Sequence, residues 1–437
     1  MPMKPRHLAL SLLAVLLPLA ASADTAADGT AARLSAALQP QITAWRRDIH
    51  QHPELGNHET RTAALVAAQL RKLGYEVRTG VARTGVVGVL KGGRPGPKLA
   101  IRADMDALPV TEEVDLPFAS KVRSTYHGQE VGVMHACGHD AHTAMTLGVA
   151  TALAGLRKEL SGEVMFIFQP AEEGPPPGES GGASLMLKEG LFAGFRPDAV
   201  FGMHVFYTLH AGEIGVREGP ILAGSDRFHI SVLGRQTHGA QPWRGVDPIV
   251  TASEIVTTAQ TIVSRQLDIS RLPAVLSFGM FQGGVRYNIV PERVELEGTI
   301  RTFDEAMRQD LFGRLARIAE HVAEAQGAKV ELKIPADVGN PVTVNDAALT
   351  QRMRASLERA VGKENVHTIP PNMVAEDFAY YAKEVPGLYF LVGSVPPAQD
   401  LAGAAPNHSP KFQLDERALD VGTRAMLQAA LDFLGHE

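Results

Sequence analysis

The sequence predicts an α/β protein: a larger domain on a mostly parallel sheet covered by helices, interrupted by a ferredoxin-like β-α-β-β-α-β inserted domain. Three observations carry this. The apolar runs Val86–Leu90, Leu99–Ala103, Val164–Phe168 and Ala199–Met203 are continuous rather than alternating, as in strands buried on both faces. Helix-like stretches separate them. Around Leu222 the rhythm changes, and a second order of elements runs for roughly 110 residues, enough for an independent domain.

In chain order, Glu59–Leu73 reads as a helix with Ala64, Leu65, Ala67 and Ala68 clustered and a stop at Gly74. The four apolar strands follow, with the helical stretch Ala141–Leu156 among them and a Pro/Gly-rich surface loop at Gly174–Gly182. Past Leu222, Arg227–Gly234 reads as a strand and Asp247–Arg265 as a helix with Ile249, Ile255, Val256 and Ile262 toward a core. Strands Ala274–Phe281 and Arg293–Arg301 come next. Phe303–Gln326 is then a helix, with Leu311, Leu315, Ile318 and Val322 at helical spacing, and Lys329–Ile334 is a last strand. Helix–strand alternation resumes from Asn345. The expected organisation is a leader over 1–23, the larger domain in two pieces at 40–221 and 337–437, and an insertion over 222–336.

The leader reading rests on Lys4 and Arg6 before an apolar run from Leu8 to Leu19, then the small-x-small site Ala21-Ser22-Ala23. This is the layout of a secretory signal peptide, so the mature chain is expected to be exported, periplasmic or secreted and off the membrane after cleavage, with an uncleaved anchor as the alternative. The 437-residue chain is 45% hydrophobic and 21% charged, an ordinary globular composition. Its net charge of −6 excludes a general nucleic-acid binder, because no basic excess exists to neutralise phosphates. Cys137 is the single cysteine and cannot form an internal disulfide. A lone cysteine is commonly a small buried hydrophobe; its neighbours argue otherwise.

Those neighbours are His135-Ala136-Cys137-Gly138-His139-Asp140-Ala141-His142. A thiol and an imidazole two residues apart reach one metal if the backbone turns, and Gly138 permits the turn. His135 and His142 also read as surface or hydrogen-bonded core histidines. Glu172 and Glu173 sit just past the apolar strand Val164–Phe168, at the carboxyl end where ligand sites form in open α/β sheets. One carboxylate of such a pair can bind a cation while the other takes a proton from water. Asp104 and Asp106 follow the strand Leu99–Ala103, and His204 follows Ala199–Met203. His408 lies in a loop after the apolar run Leu388–Val392.

At this point the chain resembles the M20 metallopeptidases, and more closely the branch of hippurate hydrolases, N-acyl-amino-acid amidohydrolases, indole-acetyl-amino-acid hydrolases and some carboxypeptidases. The resemblance rests on RRDIHQHPELG (Arg46–Gly56), RADMDALP (Arg102–Pro109), HACGHDAH (His135–His142), QPAEEG (Gln169–Gly174), GMHV (Gly202–Val205) and NHSPKF (Asn407–Phe412), in that order along essentially the whole mature chain. It implies two divalent metal ions held by Cys137, His139, Glu173, His204 and His408, with Glu172 as general base. Two departures from the wider family matter. Arg102-Ala103-Asp104 stands where a His-x-Asp is common, so Asp104 is expected to orient a ligand histidine rather than to bind metal. The thiolate of Cys137 also replaces a frequent carboxylate, which leaves the choice among Zn²⁺, Mn²⁺, Co²⁺ and Ni²⁺ open.

In the insertion, Thr237-His238-Gly239-Ala240-Gln241-Pro242 resembles the family loop whose histidine reaches the partner subunit's site and stabilises the oxyanion. This implies a homodimer. Asn288 and Arg301, in YNIVP and EGTIR, resemble contacts to a substrate α-carboxylate. The expected activity is metal-dependent hydrolysis of the amide bond in N-acyl amino acids or short peptides, beside a free carboxylate. A carboxypeptidase or dipeptidase on the same scaffold, a single-metal hydrolase and a non-catalytic periplasmic binding protein remain alternatives. Glu172 argues against the last, because a binder has no use for a free carboxylate beside a ligand.

Overall fold

The computed structural model describes residues 24–435. The expected leader, Met1–Ala23, lies outside the described residues. Among the described residues no helix is long and apolar enough to cross a membrane.

The larger sheet has eight strands. At its centre Arg94–Asp104 runs parallel to Ser161–Gln169 on one side and to Ala199–His210 on the other. Ala199–His210 also pairs in parallel with Gly387–Val395. Antiparallel Gly85–Lys91 and Glu76–Val81 extend one edge. Ile214–Val216 and Val366–Thr368 close the other. All nine residues of Gly387–Val395 are buried, as are the last six of Arg94–Asp104. This is why these strands read as unbroken apolar runs. Successive residues feed opposite layers. Ile101, Phe166 and Phe201 point into a core with the helices Asp24–Gln51, His139–Gly155 and Arg417–Leu434. Ala100, Met165 and Val200 join Met186, Phe378 and Tyr381 on the other face. Each fully buried phenylalanine side chain contributes about 1.5–3 kcal/mol of transfer free energy.

The insertion has its own sheet, in the order Val275–Gly283, Arg293–Thr302, Gly224–Leu233, Lys329–Lys333, with every neighbouring pair antiparallel. That is the ferredoxin-like arrangement. Helices Pro248–Thr261 and Glu305–Ala325 cover one face through Ile255, Ala259, Leu311 and Leu315 against Phe228, Ile230, Val294 and Leu296. Both helices start where their caps dictate. Asp247 accepts from Ile249 N at 2.9 Å with Pro248 in the first turn, and Asp304 accepts from Met307 N at 2.8 Å. The helix expected to reach Arg265 changes at Ile262 into a π-turn ending at Gln266. The chain leaves and re-enters the larger unit side by side, since Gly219–Leu222 pairs with Thr343–Asn345.

Two differences from expectation bear on the site. The N-terminal helix begins at Asp24 and carries Ala31, Ile42 and Trp45 into the main core, so ordered structure reaches well before residue 40. The strand expected to stop at Met203 continues to His210, because Gly387–Val395 pairs along it. His204 therefore lies within a strand, opposite Leu391, rather than past its end.

Candidate metal centre

One strand (His204), the start of one helix (His139) and three turns (Cys137, Glu172–Glu173 and His408) bring the cluster together. Gly138 has φ +90° immediately before the helix His139–Gly155, and a Cβ there would come 2.3 Å from Val205 Cγ2, so glycine is required. The turn places Cys137 and His139 side by side. The loop bearing His408 is tied to the same segment: His408 N donates to Ala136 O at 2.8 Å, and Asn407 Nδ2 donates to the carbonyls of Cys137 and Val205 at 3.1 Å each. His408 itself has φ +70°, an uncommon conformation for a side-chain-bearing residue.

The ligand-type atoms converge. Cys137 Sγ lies 3.3 Å from His204 Nε2 and 3.2 Å from His408 Nε2. His408 Nε2 is 3.0 Å from Glu173 Oε1. His139 Nε2 is 3.9 Å from both Glu173 Oε1 and Glu172 Oε2. Cys137–His139–His204, Cys137–Glu173–His408 and His139–Glu172–Glu173 each form a group whose donor atoms lie within 4.8 Å of one another. Cys137, His139 and Glu173 are each common to two of the groups, so the three groups are contiguous and could together hold more than one cation.

Hydrogen bonds orient the rings. His139 Nδ1 donates to Asp106 O at 2.8 Å, and His204 Nδ1 to Val205 O at 2.7 Å. Each turns its Nε2 toward the cluster. His142 is different: it accepts from Val205 N at Nε2 (2.8 Å) and meets Asp104 Oδ1 through Nδ1 (2.7 Å). Both of its nitrogens are used. Asp104 was expected to orient a ligand histidine; it holds His142 instead, and the main-chain oxygen of Asp106 performs that task for His139. The reason is reach, because Asp104 Oδ2 is taken by Arg102 at 2.7 Å and is 3.9 Å from His139 Nε2.

The donor set fits divalent cations. His139 Nε2 is buried without a hydrogen-bond partner, a costly state for a polar atom unless an ion completes it. Burial opposes charge on His139, yet Asp104, Asp106 and Glu173 outweigh it and raise it to about 10. Burial, then Glu173 and Glu172, push the Cys137 thiol well up, so a thiolate here calls for positive charge beside it. Burial, then Glu376 and Glu173, raise Glu172. Arg102, itself buried, is bound by Asp104, Glu376 and Asp377 together (2.7–2.9 Å). The sequence reading missed this anchor. A weak signal was Glu376-Asp377 in Ala375-Glu376-Asp377-Phe378, one of several adjacent carboxylate pairs in the chain, Glu112-Glu113, Asp304-Glu305 and Asp415-Glu416 among them.

The insertion's candidates sit elsewhere. His238 is exposed on a two-residue ribbon opposite Ile289, and its Nδ1 accepts from Ala240 N at 3.0 Å, so the ring proton is on Nε2. Gly239 N donates to Asn288 O at 2.8 Å, while Asn288 Oδ1 is buried without a partner. Arg301 donates to Thr299 Oγ1 and Ile300 O, and burial lowers its pKa. Among the described residues no hydrogen bond or ion pair links these three side chains to the cluster.

Sheet, insertion and cluster together define a metal-dependent hydrolase. More particularly, the chain belongs to peptidase family M20/M25/M40, whose model matches residues 100–432. A thermostable carboxypeptidase 2 of Saccharolobus solfataricus is 40% identical over 398 residues, covering 91% of this chain and 96% of that one. An N-acetylcysteine deacetylase of Bacillus subtilis is 38% identical over 396 residues, covering 90% and 97%. A crystal structure of a dinuclear metal-binding M20 peptidase from Bacillus subtilis superposes with a TM-score of 0.75 at 35% identity, covering 92% of this chain and all of that one. The protein is thus an enzyme acting on amide bonds, in a family whose members take N-acyl amino acids or peptides.

Proposed function

We propose that the protein is an exported amidohydrolase that cleaves R–CO–NH–CH(R′)–COO⁻ at the amide beside the free α-carboxylate. The observation that carries this reading is Glu172: an acid within 3.9 Å of His139 Nε2, beside the buried thiol–imidazole–carboxylate cluster. Cys137, His139, Glu173, His204 and His408 would hold two divalent ions, among Zn²⁺, Mn²⁺, Co²⁺ and Ni²⁺. When bound, such ions supply Lewis acidity that polarises the amide carbonyl and acidifies water. Glu172 takes a proton from the attacking water and returns it to the leaving amine. The Nε2–H of His238 donates to the developing oxyanion. Asn288 and Arg301 bind the substrate carboxylate, a planar anion suited to an amide and a guanidinium fork.

His238 acts in this reading from the partner subunit of a homodimer. Its exposure supports that, as does the edge position of strand Val275–Gly283, where Met280 and Phe281 are 42% and 44% exposed. An apolar, unpaired sheet edge is a natural site for pairing with a second copy. Export rests on Lys4, Arg6, the Leu8–Leu19 run and Ala21-Ser22-Ala23.

A substrate panel tests the reading and separates aminoacylase from carboxypeptidase. N-acetyl amino acids, N-benzoyl amino acids and dipeptides are each compared with their α-carboxamide counterparts on metal-reconstituted enzyme. Free acids should exceed carboxamides by at least ~10-fold in kcat/KM, the scale of a hydrogen-bonded charge contact. Arg301→Ala should erase most of that gap. Equal rates on acids and carboxamides in the wild type would sink carboxylate recognition.

A further inference from the structure

Glu59 lies in none of the roles above, yet it touches the segment that carries them. Glu172 and Glu173 are the two central residues of a tight turn closed by Gly174 N donating to Ala171 O at 3.3 Å. Ala171, buried, enters this turn at φ +50°, a conformation that a residue with a Cβ adopts only when its surroundings enforce it. The enforcement is visible. Ala171 N donates to Glu59 Oε1 at 2.8 Å, and the other oxygen of Glu59 accepts from Thr84 Oγ1 at 2.5 Å. Two further contacts clamp the turn's far side. Glu173 N donates to Asp106 Oδ2 at 3.0 Å, and Gly56 packs so close that a Cβ there would be 2.8 Å from Gly174 O.

Glu59 takes no part in capping its own helix. It stands at the N-cap of Thr60–Lys72 without a capping bond, and Glu54 accepts from Arg61 N at 2.8 Å and Thr62 N at 2.9 Å in its place. The Glu59 carboxyl group, with the residue fully buried, turns across to the Ser161–Gln169 strand's exit instead. Burial and the Asp106 carboxylate push Glu59 up to about 8, so a neutral side chain of the same shape is a fair replacement for it.

We propose that Glu59 is a positioning residue for the hydrolytic reaction: by holding Ala171 in its left-handed conformation it fixes the turn that aims Glu172. This rests on the reading of Glu172 as general base. The aim of a proton acceptor enters kcat directly, whereas substrate affinity depends on groups elsewhere.

The test uses the full-length, metal-loaded enzyme with an N-acyl amino acid as substrate. Glu59→Ala should lower kcat by ~10-fold or more with KM nearly constant, as expected when a reacting group is misplaced by a fraction of an ångström. Bound metal per chain should stay at the wild-type value. Glu59→Gln keeps an acceptor for Ala171 N and should recover most of the lost kcat. Thr84→Val, which removes only the bond that steadies Glu59, should lower kcat by roughly 2–3-fold with KM unchanged. Glu59→Ala at wild-type kcat, or Glu59→Gln as damaged as Glu59→Ala, overturns the proposal; so does a loss confined to KM. Should Glu59→Ala fail to fold, Thr84→Val decides: an unchanged kcat there rejects the brace. Glu172→Gln, measured alongside, separates the two readings. Full activity in that variant refutes Glu172 as the base, whereas an inactive Glu172→Gln beside an unaffected Thr84→Val and Glu59→Ala refutes only Glu59.

Discussion

At the carboxyl edge of the large sheet, charged side chains are buried and held from several directions at once. Arg102 is shared by Asp104, Glu376 and Asp377, and His142 is bonded at both nitrogens. On the insertion, His238 is exposed with its Nε2–H directed at no protein acceptor among the described residues, and Asn288 Oδ1 is buried without a partner. The open face of the insertion's sheet is polar, while its edge strand exposes Met280 and Phe281. The first region pairs its charged groups within one chain, and among the buried atoms left there without a hydrogen-bond partner His139 Nε2 faces the ligand cluster and suits a cation. The second has candidate groups and apolar surface that one chain leaves uncovered. On this difference we propose a division of labour in which one subunit activates water and a second subunit's insertion completes the substrate site.

The strongest way to break the first half of that comparison is to remove its proposed proton acceptor. Glu172→Gln keeps the side-chain volume and should keep most of the bound metal, since the proposed role is proton transfer and not coordination. It should lose at least ~10²-fold in kcat, the lower end of general-base effects. Near-wild-type turnover in a metal-replete variant would move the base elsewhere, and Glu376, which faces Glu172 from the next loop, would be the first candidate.

Cys137 sharpens the same half. In the metal-loaded enzyme its thiolate should resist alkylation, and chelation should expose it to reagent. Cys137→Ala should lower metal occupancy, with activity following. A thiol equally inert before and after chelation, with unchanged occupancy in the alanine variant, would return Cys137 to the role of a small buried hydrophobe.

How much of this was legible beforehand follows from how local each cause is. The ferredoxin-like order was readable because Asp247-Pro248 and Asp304 set helix starts through bonds two and three residues away. The placement of Glu172–Glu173 at the sheet's carboxyl edge was readable for a similar reason: the acids directly follow a buried strand. Arg102 was not, because its partners Gln169, Glu376 and Asp377 are brought to it only by the sheet and the loop after it. The end of the strand through His204 was also hidden, since its length is set by pairing with Gly387–Val395, nearly two hundred residues away. The N-terminal helix was obscured by Pro40 in its interior, which tertiary packing of Ile42 and Trp45 overrides. Which histidine Asp104 would meet was not legible, because hydrogen-bond choice among His139, His142 and His204 depends on ångström-scale positions that spacing does not encode; its bond goes to His142.

The second half of the comparison is broken or sharpened by mixing. His238→Ala and Glu172→Gln place their defects on different parts of the chain, and each should be inactive alone. If His238 serves the partner's site, a mixed dimer has one composite site carrying both defects and one carrying neither. Co-refolding equal amounts should then restore about a quarter of wild-type activity, because random mixing makes half the dimers mixed and each has one intact site. If His238 serves its own chain, every site in the mixture carries one defect and nothing returns. The measurement needs a parallel check that mixed dimers form, for example by differently tagged chains captured together. Mixed dimers without activity reject the action across subunits, and an enzyme that sediments only as a monomer rejects it before any mixing is done. Restored activity would mean that the exposed imidazole on the insertion and the buried cluster on the large sheet belong to one site assembled from two chains.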